Sequence, residues 1–216
     1  MRAGTYRPQR TRSDAGRGGR AGPGGPQATL PALRRGLGDR FLVLVGMMGS
    51  GKSSVGRRLG RALDLGFVDT DAEIEKAARM TVREIFETYG EPHFRALEER
   101  VVARVMAGPP SVIALGGGAW LSDATRRLVR ERGLSVWLDV DIETLVARVG
   151  RRTSRPLADG DARGKLAALD AVRRSVYAEA DVSVRAGDLP QEAMLARVTA
   201  ALATHLGGPA GRTPPA

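Results

Sequence analysis

A chain of 216 residues with 42% hydrophobic and 27% charged side chains has the balance of one well-packed globular domain and is too short for two of ordinary size. No apolar run approaches the roughly 20 residues that span a bilayer, and the absence of cysteine excludes disulfides, thiolate metal sites and a cysteine nucleophile, so a soluble, cytoplasmic protein is expected. The formal charge of +10 is local: residues 1–40 hold nine Arg against two Asp while residues 41–206 are nearly balanced, so no specific nucleic-acid binding and no membrane attachment are expected of the body.

The first 40 residues, with GRGGR and GPGGP, read as a disordered basic tail without hydrophobic periodicity, and residues 207–216 read the same way. From Phe41 the pattern changes. Short apolar runs at 41–45 (FLVLV), 66–69 (GFVD), 111–115 (SVIAL), 135–140 (SVWLDV) and 181–184 (DVSV) predict five strands joined by segments long enough for crossover helices. That is the signature of an α/β fold with a parallel sheet covered on both faces. Val55, Leu59, Ala62 and Leu63 recur at helical spacing, which places an amphipathic helix directly after the first strand.

Between that strand and that helix lies GMMGSGKS, in which Gly46, Gly51, Lys52 and Ser53 fill the pattern G-x-x-x-x-G-K-S/T of a phosphate-binding loop. Glycines let successive backbone amides turn toward phosphate oxygens, and the helix adds its positive N-terminal end. The nucleotide-binding set is Gly46, Gly49, Ser50, Gly51, Lys52, Ser53 and Ser54, with Lys52 reaching the β and γ phosphates and Ser53 placed to ligate Mg2+. A nucleotide with magnesium is implied and the acceptor is left open, since motors, GTPases and small-molecule kinases share this loop.

The acceptor side begins with FVDTD, where Asp69 and Asp71 stand at the carboxyl end of the second strand, on the rim that binds ligands in open α/β sheets. The competing reading makes Asp71 a helix N-cap. GEPHFRALEE, with Phe94, Arg95 and Glu98, and LGGGAW, with Gly116, Gly117 and Gly118, follow in order; the glycines read equally as a tight strand exit. Taken together in this order and spacing, GMMGSGKS, DTD, FR and GGG resemble the shikimate kinase family, and the similarity extends through RTSRPL to VRRSVY over roughly residues 41–185.

The resemblance implies a P-loop kinase fold, three-layered, with five parallel strands in the order 2-3-1-4-5 and a mobile lid over residues 150–163. It implies Asp69 near the magnesium, Asp71 on the shikimate hydroxyls, Arg95 and Arg173 on the substrate carboxylate, and Gly117 and Gly118 lining the pocket. It also implies that Arg155, in SRPL, contacts the transferring phosphates and that Arg148 stacks on adenine. Guanidinium forks suit a planar carboxylate. The family commonly has Arg-x-Pro-Leu-Tyr where this chain has Arg173, Arg174, Ser175, Val176 and Tyr177, so Arg174 stays open as the carboxylate ligand. The expected activity is transfer of the ATP γ-phosphoryl group to the 3-hydroxyl of shikimate by a monomer, with Lys52, Asp71 and Arg155 as the catalytic set. A kinase of another hydroxy acid such as gluconate, or a non-catalytic nucleotide-binding module, remains the alternative.

Overall fold

A computed structural model describes residues 26–152 and 162–207. The five expected strands form: β1 (Phe41–Val45), β2 (Gly66–Asp69), β3 (Ser111–Ala114), β4 (Gly133–Asp139) and β5 (Val182–Arg185). All pairings are parallel, in the order β2-β3-β1-β4-β5, as the resemblance implied. Every residue of β1 and β3 is buried, which is why these strands are apolar throughout rather than alternating. β4 starts two residues before the expected run because Gly133 pairs with Phe41 at the edge of the central strand.

Helices α1 (Pro26–Leu37), α2 (Lys52–Leu63), α3 (Thr70–Ala78), α4 (Val82–Met106), α5 (Asp123–Arg132), α6 (Ile142–Arg152), α7 (Ala162–Tyr177) and α8 (Gln191–Gly207) complete the described chain. The chain fills one side of β1 with β2 and β3, then crosses to the other with β4 and β5. That reversal opens a crevice outside the carboxyl ends of the central strands. A second, smaller cluster of Ile74, Ile85, Phe94 and Val101 packs α3 on α4. Helix α4 is two helical runs meeting at Gly90, whose φ of 78° and ψ of 172° are open to glycine and costly for a side-chain residue. The turn falls just before the FR pair and re-aims the second run. At the head of the first, the Thr81 Oγ1 accepts from the Glu84 amide at 3.2 Å while Glu84 accepts from the Thr81 amide at 2.7 Å, a reciprocal cap. Among the described residues, no helix is long and apolar enough to cross a membrane.

One expectation is corrected. Residues 26–37 form α1 instead of continuing a disordered tail, because Leu30, Leu33 and Leu37 share a helical face and join the main core, with Leu33 and Leu37 each only 3% exposed. The helix lies close on α8, where a Cβ at Gly36 would sit 3.4 Å from Leu206. The folded body therefore includes residues 26–37. The expectations for residues 1–25, for the tail beyond 207 and for most of the lid, Arg155 included, lie outside the described residues. Truncating Leu33 to Ala removes a buried side chain from a packed interface and is expected to destabilise the fold by about 2–4 kcal/mol, measured as a shift in the urea unfolding midpoint at constant slope.

Candidate functional site

The loop after β1 turns on three glycines with positive φ: Gly46 at 136°, Gly49 at 79° and Gly51 at 97°. Gly46 is further confined by packing, since a Cβ there would meet the Leu138 carbonyl oxygen at 2.9 Å. This curvature brings Lys52 back over its own loop, where its Nζ donates to the carbonyl oxygens of Gly46 at 2.8 Å and Met47 at 3.0 Å. Withdrawal from solvent lowers the Lys52 pKa to about 8, opposed by the charges of Asp71 and Asp69. The next residue, Ser53, donates from its hydroxyl to Asp69 Oδ2 at 2.6 Å. Lys52, Ser53, Asp69 and Asp71 thereby line a single cavity of about 160 Å³.

A second cavity, of about 330 Å³, opens on the other side of the loop and shares Gly49 and Gly51 with the first. Ser50, Ser54, Arg148, Pro190, Gln191 and Met194 line it. Arg148 is anchored there by donation to the Gly187 carbonyl at 3.2 Å. The loop is thus a wall between two chambers, one large and partly apolar, the other small and charged.

The two aspartates differ in job. Helix α3 starts at Thr70, so Asp69 is its N-cap, and its Oδ1 accepts from the Asp71 amide at 3.2 Å. The capping role that was open for Asp71 belongs to Asp69, and Asp71 stands in the first turn of α3 with its carboxylate free of that duty. Thr70 between them is buried and ties the carboxyl ends of two strands together: its Oγ1 accepts from the Gly116 amide at 2.8 Å and donates to the Ala114 carbonyl at 3.3 Å. Burial, then the neighbouring charge of Asp69, pushes the Asp71 pKa above the usual carboxylate range.

Across Gly116 lies the FR segment. A Cβ on Gly116 would fall 2.4 Å from Asp71 Oδ1 and 2.7 Å from Glu98 Oε1, so the absence of a side chain is what lets these two carboxylates approach. Glu98 is 2% exposed and is held by Arg95 Nη1 at 2.7 Å; its pKa too is raised by burial. Arg95 also reaches Glu91 through Nε and Nη2, at 3.1 and 2.9 Å, and lies 5.1 Å from the Phe94 ring centre, a cation–π distance. Gly118 gives it room, because a Cβ there would overlap the guanidinium.

The adjacent arginines of α7 diverge. Arg173 is half-buried and donates from Nη1 to the Gly117 carbonyl at 3.3 Å, at the mouth of the crevice. Arg174 points elsewhere: it pairs with Asp139 at 2.8 and 2.9 Å and with Asp170 at 3.2 Å, and lies over the Trp137 ring. Of the expected residues, Gly49, Gly51, Lys52, Ser53, Asp69 and Asp71 line the smaller cavity, Gly49, Ser50, Gly51, Ser54 and Arg148 line the larger, and Arg95 and Gly118 line a third with Glu98; Arg173 meets the turn at Gly117, and Arg155 lies outside the described residues. Three contributors were not singled out for a role in the sequence: Thr70, Glu98 and Tyr177. For Glu98 the signal was its i,i+3 spacing from Arg95 in a segment otherwise apolar on that face.

Comparison with known proteins gives a consistent result. The family model described as shikimate kinase matches residues 48–203. A shikimate kinase of Rhodopseudomonas palustris is 48% identical over 171 residues, covering 79% of this chain and 84% of the relative. One from Nitrobacter winogradskyi is 51% identical over 157 residues, covering 72% of this chain and 73% of the relative. Among solved structures, shikimate kinase from Acinetobacter baumannii in complex with shikimate has a TM-score of 0.70 at 31% identity, covering 77% of this chain and 94% of that one.

The lowered pKa of Lys52 gives a pH signature for triphosphate binding. Below about pH 8 the free protein presents a charged ammonium. Above it the ammonium is lost and must be regained to meet the anion, so ATP affinity is expected to fall by up to about tenfold per pH unit. Calorimetric titration of ATP from pH 7 to 9.5 measures this; a flat affinity over that range refutes it.

Proposed function

The chain belongs to the shikimate kinase family and transfers a phosphoryl group from ATP to shikimate; we propose that it does so with the residues gathered around Gly116 and Lys52. The observation that carries this reading is the convergence of Asp71 with Lys52 in one cavity and with the Arg95–Glu98 pair across Gly116. A group that orients a hydroxyl, a group that grips phosphate and a group that grips a carboxylate thus share one crevice. The readings as a gluconate kinase or a non-catalytic module give way to the family membership.

In this reading the triphosphate lies along the loop amides, its adenine in the larger cavity beside Arg148. Lys52 exchanges its two carbonyl partners for phosphate oxygens. Arg95 and Arg173 take the carboxylate of shikimate in their guanidinium forks, and the amides of Gly117 and Gly118 line the pocket. Asp71 accepts from the attacking 3-hydroxyl and orients it in line with the γ-phosphorus. Its raised pKa suits it to take the proton late in a loose transition state, in which little covalent help is needed. Arg155, outside the described residues, is assigned to the transferring phosphates by its place in SRPL.

Magnesium fits the donor set. The Ser53 hydroxyl and the Asp69 carboxylate, 2.6 Å apart, are hard oxygens beside the phosphate site, and magnesium needs only one or two protein ligands when phosphates and waters supply the rest. Held there, it would neutralise charge on the phosphate oxygens. This chain's own contribution is to keep Asp69 fixed by its capping bond while Ser53 is free to change partners.

A coupled ADP-release assay offered shikimate, gluconate and a nucleoside monophosphate in turn is expected to respond to shikimate alone; ATP binding without shikimate-dependent ADP release refutes the reading. Asp71→Asn is expected to lower kcat by about 10²–10⁴ with ATP affinity nearly kept. Retained turnover would remove Asp71 from the mechanism. Arg173→Ala is expected to raise the shikimate KM by at least tenfold, whereas Arg174→Ala, whose exposed ion pairs contribute about 1 kcal/mol or less, leaves that KM unchanged. The reverse pattern in steady-state kinetics would exchange the two roles.

A further inference from the structure

The Gly116–Gly118 turn has no Cβ to restrict it, so each of its peptide planes is free to rotate unless something outside the turn holds it. Gly116 is held at its amide by Thr70 and at its carbonyl by the Ala119 amide at 3.1 Å, and the Gly118 carbonyl accepts from the Leu121 amide at 3.0 Å. Among the described residues, no backbone donor holds the Gly117 carbonyl. Its partners are two side chains one helical turn apart on α7: the Tyr177 hydroxyl at 2.5 Å and Arg173 Nη1 at 3.3 Å.

These two partners are not equivalent. Arg173 is the cation that the proposed reading sends to the substrate carboxylate, and its bond to the Gly117 carbonyl is the longer of the two. Tyr177 is fully buried, its ring is stacked on Trp137 at 6.1 Å between centres, and its oxygen also lies 3.8 Å from Met47 Sδ in the phosphate loop. It has no second task and little room to move. Among the described residues, neither the Gly117 nor the Gly118 amide donates to a protein acceptor. Both are available to a ligand.

We propose that Tyr177 is a positioning residue of the substrate site, whose hydroxyl fixes the Gly117 carbonyl against α7 and thereby sets the direction of the Gly118 amide. The two groups belong to one planar trans peptide, in which N–H and C=O point in opposite directions. Holding the carbonyl toward α7 turns the amide away from α7, on the side of the turn where Arg95 packs against Gly118. When Arg173 swings to the carboxylate, Tyr177 alone keeps the plane from flipping. The inference rests on the reading that this turn lines the shikimate pocket.

The test is Tyr177→Phe in the full chain, which removes one oxygen and keeps the stack on Trp137. The shikimate KM, and the shikimate Kd read from tryptophan fluorescence without ATP, are expected to rise about tenfold. The ATP KM should stay within about twofold and the Tm within a few degrees. Trp137→Phe, which weakens the packing and keeps the hydroxyl, is expected to lower the Tm while leaving the shikimate KM near the wild-type value. An unchanged shikimate KM in Tyr177→Phe overturns the inference, and so does a parallel rise in both KM values with loss of Tm. Equal effects of the two variants on shikimate KM would also overturn it, since packing would then account for both. If the wild type itself did not phosphorylate shikimate, the pocket assignment would fall and this inference with it; wild-type turnover beside an unaltered variant defeats the inference alone.

Discussion

The site depends on how closely two carboxylates can be brought together without a side chain between them. Asp71 and Glu98 come from different helices, and each would occupy the space of a Cβ on Gly116. Burial raises the Glu98 pKa and the Asp71 charge adds to it, so the arrangement needs outside support. It gets that support from Arg95 on Glu98, from Lys52 near Asp71, and from the Thr70 hydroxyl that locks Gly116 to the end of β2. A side chain at Gly116 would overlap both carboxylates.

Three described cations around the loop and the glycine turn already have internal partners of modest strength. Lys52 rests on two backbone carbonyls, Arg95 on the exposed Glu91, and Arg173 on a single carbonyl at 3.3 Å. Neutral acceptors and exposed ion pairs hold a cation weakly, so anionic ligands would displace them at low cost. Glu98 is the exception: its bond to Arg95 is short and buried on the carboxylate side, so it orients that guanidinium instead of releasing it.

Much of the fold was legible because strands buried on both faces must be apolar throughout, and FLVLV and SVIA cannot be mistaken for anything half-exposed. The phosphate loop was legible because its glycines are demanded by backbone geometry. Helix α1 was not, since Pro31 and the arginines around three well-spaced leucines resemble the tail that precedes them. The neighbours Arg173 and Arg174 were indistinguishable because they differ by about 100° around a helix, and only the packing of α7 decides which faces the crevice. Glu98 was visible as a letter in a motif, but its burial, and hence its altered chemistry, depends on α4 turning at Gly90.

The two cavities and the glycine turn draw on groups from Gly46 to Met194, supplied by α2, α3, α4, the turn after β3, α6, α7 and α8. No fragment of the sheet contains even half of them. Occupancy is therefore a property of the wholly assembled molecule, and ATP and shikimate act as folding ligands whose binding opposes unfolding in proportion to the logarithm of their concentration. A cell rich in both would hold this protein against its proteases longer than a starved one, with no regulator other than mass action.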